Sequence, residues 1–205
     1  MFVSYLSLMD FRSYKSLELK LNTGTHIFLG ENGEGKTNIA ESIMYLALLS
    51  SHRVSSTTPL IKLGAEKAYI RAKIEDGSQS SIIELEINNG RANRAKLNQN
   101  PVRSQREIAG IVKAICFSPE DLEIVKGDPS TRRNFLDQLL IQFSPRLAGV
   151  LSDYDRVLRQ RNTLLKTSRN LPKESAGLST LDAWDEQLVE LGSEIILQRI
   201  MLVRY

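Results

Sequence analysis

Leu17, Leu19 and Leu21 alternate with Glu18 and Lys20, the period-2 signature of a half-buried strand. An Asn22-Thr-Gly turn follows, and then His26-Ile-Phe-Leu, a short apolar run that predicts a strand leading into a glycine-rich loop. Behind that loop, Ile39, Ile43, Leu46 and Ala47 recur at helical spacing and predict a helix from Thr37 to Ser50. The polar stretch Ser51 to Pro59 reads as a loop. Alternation returns in Ala68-Tyr-Ile-Arg-Ala-Lys-Ile and Ile83-Glu-Leu-Glu-Ile, with Asn88-Asn-Gly placed where a hairpin would turn. Ala95-Lys-Leu and an Asn98-Gln-Asn-Pro turn continue this meander, and Ile111-Val-Lys-Ala-Ile-Cys-Phe predicts a more buried strand ending at Ser118-Pro119.

Beyond that point the period lengthens. Phe135, Leu136, Leu139, Leu140 and Phe143 form one helical face. Leu147 to Leu165 and Leu181 to Val203 predict two longer helices, separated by the polar stretch Thr167 to Gly177. There is no internal repeat and no low-complexity segment. The pattern predicts an α/β and antiparallel-β first lobe, residues 1–117, and a helical second lobe, residues 118–205.

Composition narrows the class. With 41% hydrophobic and 25% charged residues, the chain of 205 residues is ordinary globular material, which excludes a disordered tail, a collagen-like fibre and a disulfide-stapled miniprotein. Cys116 has no second cysteine to bridge, consistent with a reducing compartment. The longest apolar run, Ile43 to Leu49, is too short to span a bilayer. The first ten residues lack a basic n-region and meet a charge at Asp10, so no signal peptide is expected, and the chain is read as cytoplasmic with no membrane contact.

The net charge of +3 changes little by itself; its distribution matters more. Arg91, Arg94, Lys96, Arg103 and Arg106 follow one another with no acidic residue between them. Arg156, Arg159, Arg161, Lys166, Arg169 and Lys173 form a second such run. Such clusters suit contact with a polyanion, and equally a solvated face. With no aromatic residue interleaved in the first run, contact with DNA there would be with phosphate and insensitive to sequence.

The strongest chemical signal is Gly30-Glu31-Asn32-Gly33-Glu34-Gly35-Lys36-Thr37, which satisfies G-x-x-x-x-G-K-[ST]. Roughly one random chain of this length in a hundred would carry that pattern, and fewer would place it between an apolar run and a periodic helix. Glycines let successive backbone N–H groups turn around a phosphate with no Cβ in the way. The helix start adds unsatisfied donors and the positive end of its dipole. Lys36 would reach the β- and γ-phosphates of ATP, and the Thr37 hydroxyl would ligate Mg²⁺.

Gly30-x-Asn32-Gly33-x-Gly35-Lys36-Thr37-Asn38 resembles the phosphate loop of ABC and SMC-type ATPases. Further segments resemble one group of these, the RecF family of bacterial recombination mediators: Leu8-Met-Asp-Phe-Arg-Ser-Tyr, Ser51-His-Arg, Phe117-Ser-Pro-Glu-Asp-Leu and Val125-Lys-Gly-Asp-Pro-Ser. Arg132-Arg-Asn-Phe-Leu-Asp and Tyr154-Asp-Arg-Val-Leu-Arg-Gln-Arg-Asn continue the likeness. The resemblance implies an ATP- and DNA-binding protein of replication, recombinational repair and the SOS response. It implies dimerisation with ATP, work with RecO and RecR, and indirect action on RecA at single-stranded gaps. It also implies weak DNA-dependent ATPase activity. An ABC-type nucleotide-binding subunit of another system and a non-catalytic nucleotide-binding fragment are the competing readings.

Other residues carry two readings each. Arg53 sits where SMC-like ATPases place an arginine that can touch nucleotide or DNA, and equally where a cation complements a helix C-terminus. Ser118-Pro-Glu-Asp121 fits a helix N-cap or a lobe junction, where related ATPases use a Gln loop; no Gln stands here. Arg132 and Arg133 read as helix surface, Trp184 as core, and His52 as a packing residue with no metal-ligand spacing around it. No run of four apolar residues ends in Asp or Glu, and no Ser-Gly signature occurs, so no catalytic residue is assigned. The chain is therefore read as the N-terminal portion of a RecF-like protein, expected to hydrolyse ATP at no rate above background by itself.

Overall fold

The computed structural model describes residues 1–51, 53–54, 56–167 and 181–204, the side chains of Arg106, Pro119 and Glu120 excepted. These residues divide into two units, Met1–Pro119 and Glu120–Tyr205.

The first unit is built on six strands: β1 (Phe2–Phe11), β2 (Tyr14–Lys20), β3 (Lys67–Asp76), β4 (Gln79–Asn88), β5 (Arg94–Leu97) and β6 (Asn100–Pro101). They form one antiparallel sheet in the order β2-β1-β3-β4-β5-β6. The side-chain alternation decides which face is buried. Leu6 and Leu8 of β1 stand beside Ala72 and Ile70 of β3, which face Ile83 and Leu85 of β4, and all six are buried. Each large aliphatic side chain among them gains about 1.5–3 kcal/mol on leaving water. The opposite face is a ladder of charges, with Arg71 at 2.9 Å from Glu84 and Lys67 at 3.5 Å from Glu86.

Two tight turns fix the register. The β3–β4 hairpin closes at Gly77, φ +61°. The β5–β6 hairpin closes at Asn98 and Gln99, both at positive φ, the geometry whose twist matches that of paired strands. A single long helix, α1 (Lys36–Leu48), shares the core: Ile39, Tyr45, Leu46 and Ala47 join the sheet's apolar face in one cluster. The buried Tyr45 hydroxyl accepts a hydrogen bond from Asn93 Nδ2 at 3.1 Å.

Two expected strands do not form. His26-Ile-Phe-Leu, ahead of the glycine loop, carries no ladder, and Ile27 and Leu29 are 77% and 87% exposed. Ile111 to Phe117 likewise stays irregular: Val112 is buried, whereas Ile115 and Phe117 are 80% and 85% exposed. Apolar run and length were right for a strand, but a strand exists only through a hydrogen-bonded neighbour. Among the described residues neither segment has one.

The second unit is helical: α2 (Glu123–Lys126), α3 (Pro129–Phe143), α4 (Leu147–Thr167) and α5 (Leu181–Arg204). Asp128 caps α3 by accepting the Ser130 N–H at 2.7 Å, with Pro129 at the first helical position, where its missing N–H costs nothing. Leu140, Leu147, Val150 and Ile195 form the buried centre. Of the predicted α3 face, Leu140 is buried while Phe143 is exposed. Arg199 holds Asp137 with two bonds, at 2.8 and 2.7 Å, tying α5 to α3. Gly192 lets α5 approach α4, since a Cβ there would stand 3.3 Å from the Tyr154 ring.

Candidate phosphate-binding site

The glycine loop enters α1 without a side-chain cap. Gly35 is the N-cap residue, at φ +99°, and it accepts the Asn38 and Ile39 N–H groups at 2.8 and 3.3 Å. No acidic residue stands in the first turn. The donors at the helix start thus face outward with the positive end of the dipole, the arrangement that suits an anion. Lys36 turns back over the loop, its Nζ donating to Gly30 O at 2.7 Å and Glu31 O at 2.6 Å. Thr37, the residue expected to ligate Mg²⁺, is exposed on the first turn.

Gly35 is needed for closeness as well as conformation. A Cβ there would lie 2.7 Å from Ser13 Oγ, in the β1–β2 turn, and 2.8 Å from the ring of Tyr14, the first residue of β2. That turn is pinned from several sides. Asn38 Nδ2 donates to Ser13 Oγ at 3.0 Å, and Lys62 Nζ donates to Ser13 O at 2.9 Å. The Arg12 N–H donates to Leu60 O at 2.8 Å, from a left-handed conformation at φ +54°.

Beneath the loop lies an ionic cluster that the sequence did not announce. Glu41, one turn into α1, is wholly buried. Arg12 grips it with Nε at 2.9 Å and Nη2 at 2.5 Å. Ser51 Oγ donates to it at 2.6 Å and Arg53 Nη1 at 3.2 Å. Burial by itself would raise the Glu41 pKa; the hydrogen bonds from Arg12 and Ser51 and the two guanidinium charges outweigh it and hold the carboxyl below the ordinary carboxylate range. Arg53 also donates to Asn38 Oδ1 at 3.3 Å, so it is joined to the loop's helix through side chains. The available signal was a charge and a serine, Glu41-Ser42, inside the otherwise apolar stretch Ile39 to Leu49; both are buried. His52 lies outside the described residues.

The candidate DNA-contact residues lie on β5, in the turn before it and in the segment after β6. Arg94 and Lys96 stand on the charged face of β5, directly opposite Glu86 and Glu84, with Lys96 Nζ at 4.0 Å from Glu84. Arg91 lies in the turn before β5 and lines a cavity of about 410 Å³ with Asn88, Asn89 and Lys67. Arg103 is exposed, its backbone N–H donating to Glu107 at 2.9 Å. Arg106 belongs to the 3-10 turn Gln105–Ile108, and its side chain is outside the described set.

In the helical unit, carboxylates reach the second basic run from outside it. Arg156 pairs with Asp153 at 3.1 Å, and Arg161 with Asp185. Arg169 and Lys173 lie outside the described residues. Arg132 closes the end of α2, donating to Ile124 O at 3.3 Å and Gly127 O at 3.2 Å. Ser118 precedes the 3-10 turn Pro119–Leu122, and Trp184 is half-buried on α5. Among the described residues no group of three His, Cys, Asp or Glu could hold a metal, and no helix is long and apolar enough to cross a membrane.

A family model described as "AAA domain" matches residues 5–199. The DNA replication and repair protein RecF of Streptomyces avermitilis is 51% identical over 206 residues, covering 99% of this chain and 55% of that protein. A solved structure of the recombination mediator protein RecF with ATP, in the RecFOR pathway, superposes with a TM-score of 0.89 at 30% identity, over 98% of this chain and 54% of that one. An SMC ATPase, at 20% identity and a TM-score of 0.55 over 68% of this chain and 99% of its own, shares the fold alone. The chain spans about half the length of the curated relatives it matches. It belongs to the AAA-domain family and, along its whole length, to the RecF family.

Proposed function

We propose that this chain supplies the phosphate-binding part of a RecF-type protein that binds ATP and DNA in the cytoplasm. The processes served are replication, recombinational repair and the SOS response, with RecO and RecR as partners in loading RecA at single-stranded gaps. The observation that carries the reading is the loop Gly30–Thr37, which runs uncapped into α1 within a RecF-type sequence. A relative solved with ATP supports the choice of nucleotide.

Gly30, Glu31, Asn32, Gly33, Glu34 and Gly35 would present backbone donors to the phosphates. Lys36 would leave its two carbonyl partners for the β- and γ-phosphate oxygens. The site suits Mg²⁺: the exposed Thr37 hydroxyl is a hard oxygen donor beside the cradle. Mg²⁺, when bound, neutralises charge on the β- and γ-phosphates. The exposed cations Arg91, Arg94 and Arg103 support a phosphate-directed contact with DNA, to which Lys96 and Arg106 would add. Dimerisation with ATP would complete a site to which this chain brings the cradle but no water-orienting carboxylate.

Calorimetric titration with Mg-ATP tests the reading. Lys36→Ala should weaken binding by at least tenfold without changing the thermal midpoint. Equal affinity in parent and variant would remove the loop from consideration.

A further inference from the structure

The phosphate loop carries two carboxylates, Glu31 and Glu34, against one cation, Lys36, a net charge of −1 (+1 − 2) in a cradle meant for an anion. Glu34 does not point away into solvent. Its Oε2 accepts the Glu31 N–H at 3.0 Å, while its own N–H donates to Glu31 O at 3.4 Å. The carboxylate lies so close over Gly30 that a Cβ on that residue would collide with it. It also faces the β1–β2 turn: burial first, and then the Glu34 charge, push the Tyr14 hydroxyl above its usual pKa. Lys36 is meanwhile held by the Gly30 and Glu31 carbonyls. The loop's cation and the Glu31 and Glu34 amides are thus engaged by acceptors of the loop itself.

We infer that Glu34 sets the affinity and selectivity of this loop: its carboxylate competes with an incoming polyphosphate for the cradle and favours the metal-complexed nucleotide over the metal-free one. This rests on the phosphate-loop reading above. A carboxylate hydrogen-bonded to a backbone N–H is a charge-assisted contact of the kind a phosphate oxygen would make. An incoming phosphate therefore has either to displace Glu34 or to lie within a few ångströms of it. The repulsion grows in proportion to the charge on the ligand. Metal-free ATP carries about two more negative charges than its magnesium complex, so Glu34 penalises it more. A merely solvated glutamate would be extended into water and would not be folded over Gly30.

The test is calorimetric titration of the protein with ATP in excess Mg²⁺ and with ATP in EDTA. Parent, Glu34→Gln, Glu34→Ala and Lys36→Ala are compared. Glu34→Gln keeps an acceptor for the Glu31 N–H and removes only the charge. It should tighten metal-free ATP by about tenfold and Mg-ATP by about threefold, so that the preference for Mg-ATP falls. Glu34→Ala, which removes the acceptor too, should gain at least as much. An unchanged preference, or weaker binding of both forms by both Glu34 variants, overturns the role of Glu34 and leaves the phosphate loop standing if Lys36→Ala still loses binding. If Lys36→Ala binds as the parent does, or neither the parent nor any variant binds, the phosphate-loop reading fails and the inference falls with it.

Discussion

Arg12 and Glu41 meet through two bonds, at 2.9 and 2.5 Å, across a separation of 29 residues. One end is the turn between β1 and β2; the other is the helix that begins at the phosphate loop. The contact joins the sheet to the loop through a charge that has no access to water. Such a pair is costly to break, because the surviving partner is left buried and unpaired. Arg53 shares the same carboxylate but is 39% exposed at its side chain, so water can replace what it loses.

Glu41→Gln should therefore cost about 3 kcal/mol of folding stability, and Arg53→Ala about 1 kcal/mol or less. Urea denaturation of the two variants checks the ranking. Equal midpoints would mean that the buried carboxylate is compensated in some way other than by Arg12.

The same carboxyl predicts an acid limb. Its pKa is lower in the folded protein than in the unfolded chain, so the unfolded state binds the proton first as pH falls. The stability it contributes is complete above the ordinary carboxylate pKa and is lost progressively as pH drops through the folded value. Glu41→Gln should flatten the acid side of a stability–pH profile relative to the parent. Parallel acid limbs would assign that loss to other carboxylates.

Gly33 and Gly35 both hold positive φ, +91° and +99°, yet they should not tolerate alanine equally. At Gly33 a Cβ meets nothing within 4 Å, whereas at Gly35 it meets Ser13 and Tyr14. Gly33→Ala should cost about 1–2 kcal/mol of backbone strain alone. Gly35→Ala should add roughly 1–3 kcal/mol from the clash and push the β1–β2 turn away from the loop. Thermal midpoints of the two variants, measured side by side, show whether the extra loss exists.

Binding of DNA through the exposed arginines should show in its dependence on salt. Reversing Arg94 and Arg103 to Glu should reduce affinity and flatten the slope of log K against log salt, by about one unit for each arginine that had neutralised a phosphate. A slope identical to that of the parent would place the DNA on another face.

Much of this architecture could be read from the chain. The alternation in β3 and β4 needs no partner information, because one face of each strand is simply apolar. The helix after the loop, and the loop itself, follow from spacing. What could not be read depends on neighbours distant in sequence. His26 to Leu29 and Ile111 to Phe117 have strand-like composition and no ladder. Asp185 lies outside the basic run, 24 residues from the Arg161 it neutralises. Glu41 is legible only as an oddity in the apolar stretch Ile39 to Leu49 until Arg12 is seen beside it. Arg132 is exposed on α3, as its position in the helix pattern suggested.

The place of the loop in the sheet order also sets when it can form. β1 pairs with β2 next to it in sequence, and then with β3, so all of residues 21–66, loop and α1 included, must be closed off before that second ladder zips. The β3–β4 hairpin needs only a two-residue turn and can appear early, whereas the β1–β3 closure is the long-range event that slows folding. Ser13, Tyr14 and Arg12 reach Gly35 and Glu41 only once β1 is in place. In a refolding experiment the cradle should therefore be a late arrival, gaining its shape with the slow phase and not with the hairpin.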